Sequence, residues 1–71
     1  MHPATELIFQ VEEAPEGGFT ARALGEAIFT EADDFEALKQ AVREAVACHF
    51  EPGKGPKMVR LHLVKDELLA V

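Results

Sequence analysis

Asp33-Asp34-Phe35-Glu36-Ala37-Leu38-Lys39-Gln40-Ala41-Val42-Arg43-Glu44-Ala45-Val46-Ala47-Cys48-His49-Phe50 is the stretch that decides how this chain folds. Within it Phe35, Leu38, Val42, Ala45, Val46 and His49 recur at helical spacing. At about 3.6 residues per turn these positions share one face, and Lys39, Gln40, Arg43 and Glu44 fall largely off it. An amphipathic helix over 33–50 is therefore predicted. Asp33 is the expected N-cap, with Glu36 completing a capping box. The helix is expected to stop near Phe50, because Glu51-Pro52-Gly53-Lys54-Gly55-Pro56 cannot continue it.

Working outward, the period changes on both sides. Upstream, Leu7, Phe9 and Val11 alternate onto one face, as a half-buried strand requires. Ala14-Pro15-Glu16-Gly17-Gly18 reads as a hairpin loop, since proline cannot donate to a ladder and glycine tolerates positive φ. Phe19–Leu24 follows as a second strand, Gly25 as a turn or bulge, and Glu26–Thr30 as a third strand with either Ile28 or Phe29 inward. Downstream, Met58–Val64 alternates again. Val59, Leu61 and Leu63 are expected to face the core, with Arg60 and His62 turned away. Asp66-Glu67 reads as a turn, and Leu68–Val71 as either a short last strand or a tail docked on a neighbour.

The resulting order is β-β-β-α-β in a single domain spanning 1–71. The predicted fold class is α+β: a mostly antiparallel sheet with one helix on one face. The opposite sheet face then carries Ile8, Leu24 and Val64 beside Gln10, Arg22, Arg60 and His62. Such a face is too apolar to be purely solvated and too polar for a core, which suits an interface. Ile8, Arg22, Leu24, Arg60 and His62 are the expected partner-binding residues. Strand edges add a second route to association, and a homodimer is expected.

Composition narrows the function classes. A chain of 71 residues buries a modest core, and its single cysteine, Cys48, excludes an internal disulfide and fits a reducing cytosol. No apolar run reaches the roughly 20 residues of a membrane span. Residues 1–6 lack the regions of a secretion signal, so a cytoplasmic protein without membrane contact is expected. The net charge of −6 argues against direct nucleic-acid binding. Charge is unevenly spread: residues 1–37 hold nine acids against Arg22 alone, whereas 38–71 hold four acids and six bases. An acidic half repels nucleic acid and attracts a basic protein, although acidic residues also simply keep a small domain soluble.

Three stretches together carry a resemblance. Phe9-Gln10-Val11-Glu12-Glu13 followed by Gly17-Gly18-Phe19-Thr20-Ala21 resembles the opening hairpin of the HicB-like antitoxin family. Ile28-Phe29-Thr30-Glu31-Ala32-Asp33 resembles that family's third strand and its approach to the helix. Phe35–Ala45 resembles its single helix. The resemblance implies a shortened ribonuclease H-related fold, normally without catalytic carboxylates. It implies a partner as well: a small basic ribonuclease toxin of double-stranded-RNA-binding-like fold, whose active site the antitoxin blocks. Two departures stand out. Ala23-Leu24-Gly25 replaces the family's usual Leu-Pro-Gly segment, and nothing after Val71 offers the family's DNA-binding part, so operator binding is not expected.

Chemistry is weighed against this binding reading. Cys48 and His49 are adjacent on the helix and point about 100° apart, so they do not share a metal. Convergence of His49 with His62 or His2 would be needed for a ligand set, and a satisfied, partly buried His49 is expected instead. The ribonuclease H relationship raises a magnesium-dependent nuclease built on Glu12, Glu13, Glu31, Asp33 and Asp34. Such sites need carboxylates converging from strand interiors, whereas these lie at a turn and a helix cap. No phosphate-binding glycine motif is present. The chain is too small to enclose thiamine diphosphate and has no Gly-Asp-Gly motif, so no cofactor is expected. The expected function is that of a non-enzymatic protein-binding module like the toxin-neutralising domain of HicB antitoxins. A stand-alone structural homo-oligomer and the metal-dependent ribonuclease are the alternatives.

Overall fold

The computed structural model describes residues 6–71. Residues 1–5, with His2 and most of the stretch read as lacking a secretion signal, lie outside the described residues. The elements are β1 (Glu6–Glu13), β2 (Phe19–Ala23), β3 (Phe29–Ala32), α1 (Phe35–His49) and β4 (Met58–Val64). The fold is α+β, a four-stranded sheet in the order β3-β2-β1-β4. Two neighbouring pairs are antiparallel, and β4 runs parallel to β1. The sheet is thus mixed, because the helical crossover returns the chain to lie beside β1 in the same direction.

The core forms where α1 meets the sheet. Leu38 and Val42 of the helix are buried with Phe9 and Val11 of β1, Ala21 and Ala23 of β2, and Ile28. Register sets Phe9 opposite Ala23 and Val11 opposite Ala21, so large β1 side chains stand next to alanines. Those alanines let the helix approach closely enough for Leu38 to be fully buried. Phe19 and Phe35 close the hairpin end edge-to-face, with ring centroids 5.6 Å apart.

Several expectations are corrected. The N-cap is Asp34 and not Asp33: Asp34 is extended, and its Oδ1 accepts from the Ala37 N–H at 2.7 Å. Glu36 is therefore one residue early for a capping box, and it pairs with Lys39 at 2.9 Å instead. The third strand is Phe29–Ala32 rather than Glu26–Thr30. Gly25, at φ +92°, starts an excursion through Ala27 that the Ala23 N–H closes onto the Ile28 carbonyl at 3.0 Å. Ile28 then turns inward and Phe29 outward. Leu63 shares the helix-side face of β4 but is 49% exposed, because α1 lies over β2 and β3 and β4 is the far edge strand. Leu68–Val71 forms no strand, and Leu68, Leu69 and Val71 are exposed.

The β1–β2 hairpin depends on Gly17 and Gly18, at φ +105° and +84°. A Cβ on Gly18 would stand 2.7 Å from the Ala32 carbonyl oxygen, whereas one on Gly17 meets nothing. Gly17→Ala is expected to cost about 1–2 kcal/mol from backbone conformation alone, and Gly18→Ala distinctly more, in urea unfolding. Equal costs would contradict the close approach. In the same assay Asp34→Ala is expected to cost about 1 kcal/mol as a lost cap, and Asp33→Ala close to nothing.

Candidate interaction face

Strand pairing makes the face opposite α1 readable as rows. Arg22 stands between Phe29 and Gln10, and Gln10 is followed by His62. Glu31, Thr20, Glu12 and Val64 form the next row, and Ile8 and Arg60 stand side by side in another. The Leu24 N–H donates to the Ile8 carbonyl at 2.9 Å, which extends that row across β2. All five residues singled out from the sequence, Ile8, Arg22, Leu24, Arg60 and His62, are exposed on this one face. Two apolar members were not singled out. Phe29 is 63% exposed beside Arg22, and Met58 is exposed next to Glu6. The signal for Phe29 was the alternation of Phe29 and Glu31, which a correctly placed third strand would have revealed.

Arg60 is not a free cation. Its Nε–H donates to Glu6 on the neighbouring strand. The hydrogen bond to Arg60 holds the Glu6 carboxyl below the ordinary glutamate range, with the guanidinium charge acting in the same direction. Arg22 and His62 make no ion pair among the described residues, so they are the face's uncommitted nitrogen donors beside the paired Arg60.

Carboxylates gather at the hairpin end of the sheet. Glu12, Glu13 and Asp66 line one recess there, and Glu16, Glu31 and Asp33 line a second, the two meeting at Ala14. The carboxylates considered for magnesium are not drawn to one point. Glu12 and Glu31 lie on strands separated by β2, about 9–10 Å apart across the sheet. Asp34 is committed as the cap. Among the described residues no group of three or more His, Cys, Asp or Glu is placed to hold a metal ion. His49 is more exposed than expected. Its Nε2 lies 3.1 Å from Glu26 Oε1 and its ring packs edge-to-face on Phe50, away from His62 on the sheet. Cys48 is a free, exposed thiol.

The chain is 56% identical to a UPF0150 protein of Archaeoglobus fulgidus over 52 residues, which is 73% of this chain and 77% of that one. It is 37% identical to a UPF0150 protein of Thermotoga maritima over 71 residues, the full length of both. The chain belongs to the UPF0150 family. No family profile matches this UPF0150 protein, and no solved structure matches it. Among the described residues no helix is long and apolar enough to cross a membrane.

The Glu6–Arg60 pair of this UPF0150 protein has a defined pH signature. Glu6 is lowered in the folded state, so the pair's contribution is present above the unfolded glutamate value and is lost as pH falls through the folded one. Carboxyl NMR titration is expected to find Glu6 ionising below the ordinary glutamate range. Arg60→Ala is expected to return it toward that range, and an unchanged Glu6 titration in that variant would refute the pairing.

Proposed function

We propose that this UPF0150 protein is a protein-binding module of HicB-like type, whose uncovered sheet face takes a small basic partner. The observation that supports the reading is the face itself: exposed Ile8, Leu24, Phe29 and Met58 sit among Arg22 and His62, with no element among the described residues over them. Apolar anchors interleaved with a few polar groups are what a specific protein interface needs. The carboxylate-rich hairpin end adjoins this face and supplies an attractive field for a cationic partner. The strand order, with three strands, one helix and a returning strand, agrees with the shortened ribonuclease H-related fold that the HicB resemblance implies. In this reading the partner is a small basic ribonuclease of double-stranded-RNA-binding-like fold, and binding occludes its active site. The chain itself supplies no catalysis, metal or cofactor, and does not contact nucleic acid. Its working unit is a homodimer, and its free thiol at Cys48 fits the cytosol.

The test starts from the reading frame adjacent to this chain's own, which is expected to encode a small basic protein of that fold. With both proteins purified, RNA cleavage by that protein is expected to stop when the two are mixed. Phe29→Ala or Arg22→Ala is expected to weaken the inhibition about tenfold or more, as loss of an anchor at an interface centre does. Absence of such a neighbour, or cleavage unaffected by this chain, would sink the toxin reading. A stable self-assembly without any partner would then favour the structural homo-oligomer.

A further inference from the structure

We propose that the tail of one copy, residues 65–71, docks in the groove between α1 and β4 of a second copy, and that the exchange is reciprocal. The inference rests on the dimer part of the functional reading and is independent of the toxin part.

Two unsatisfied surfaces carry it. The first is the groove. Because α1 lies over β2 and β3, only its side chains reach β4. Val42, Val59 and Leu61 line a cavity of about 150 Å³ there, with Lys39 and Arg43 on the rim. The recess is open on one side, and its volume is enough to take a leucine side chain from outside. Leu63 continues the apolar surface along the same strand face. The second surface is the tail, Lys65-Asp66-Glu67-Leu68-Leu69-Ala70-Val71. Its Leu68, Leu69 and Val71 are exposed, so the apolar end of the tail leaves its own body uncovered.

The two surfaces are complementary in charge as well as in polarity. In an extended segment Glu67, Leu69 and Val71 share one side. That side presents one carboxylate followed by two apolar groups, and the groove presents cations on its rim and aliphatic side chains within. Lys39 is already paired with Glu36. Arg43 meets only the neutral Gln40 amide, at 3.3 Å, and neither Arg43 nor Glu67 has an ionic partner among the described residues. Among the described residues β4 is an edge strand, and its outer border beside the groove offers backbone groups to an extended segment. The chain's own groove lies back along β4, at Val59 and Leu61, so a tail continuing forward from Val64 meets a second copy's groove and not its own. A twofold exchange satisfies both tails and both grooves at once and leaves the face bearing Arg22 and Phe29 open.

Sedimentation equilibrium of the whole chain is the first test, with circular dichroism confirming the fold of each variant. The wild type is expected to be a dimer. Leu69→Asp with Val71→Asp is expected to weaken it about 100-fold or more. Arg43→Glu is expected to weaken it several-fold, and adding Glu67→Arg to that variant to restore it. In a Cys48→Ser background, Val59→Cys with Leu69→Cys is expected to give an interchain disulfide under mild oxidation. A wild-type monomer would overturn both this proposal and the dimer reading. A dimer that tolerates both tail substitutions, or a disulfide formed only within one chain, would overturn the tail exchange alone.

Discussion

The seating of Leu38 and Val42 on a sheet floor of Phe9, Val11, Ala21 and Ala23 is the contact on which everything else in this protein depends. Short side chains on β2 let the helix come down over β2 and β3, and this choice of strands has two outcomes. It buries a compact core from a short chain, and it leaves the helix-side surface of the far edge strand only partly covered. A bulkier β2 would lift the helix and open the core. With alanines there, the cover is tight but off-centre, and the coverage of β4 is what it lacks.

The same contact defines which side of the sheet is available to others. Period-two alternation sends every second strand residue to the side without a helix, so Ile8, Arg22, Phe29, Arg60 and His62 become neighbours although they come from all four strands. The mixture is uneven in a useful way. Arg60 is held by Glu6 and contributes little free charge, while Arg22 stands next to Phe29 with its guanidinium uncommitted. An arginine beside an exposed aromatic ring combines a directional donor with an apolar surface.

Much of this was legible in the sequence, for reasons that can be named. The helix stripe from Phe35 to Val46 and the alternation in β1 are strong because burial enforces them, and β4 alternates the same way although its helix-side residues are only partly covered. That Ile8, Arg22, Leu24, Arg60 and His62 share the face without the helix followed from the same alternation. What escaped was governed by backbone geometry or by long-range placement. The excursion from Gly25 to Ala27 displaced the third strand and concealed Phe29. Asp33 and Asp34 are chemically equivalent caps, and only the point at which the chain turns into α1 separates them. The parallel partnership of β4 with β1, and the consequent exposure of Leu63, depend on which edge receives the returning chain, and alternation within one strand carries no information about that.

The parallel pairing of β1 with β4 has a consequence for the order in which the fold closes. β1 and its parallel neighbour β4 are separated in the chain by the hairpin, β3 and the whole helix. Until β4 docks, Leu7 and Phe9 sit on a strand border that the hairpin leaves open. Such non-local closure is slow compared with hairpin and helix formation. Folding therefore passes through an interval in which an interior strand has one border open to the wrong neighbour, and only the arrival of β4 closes it.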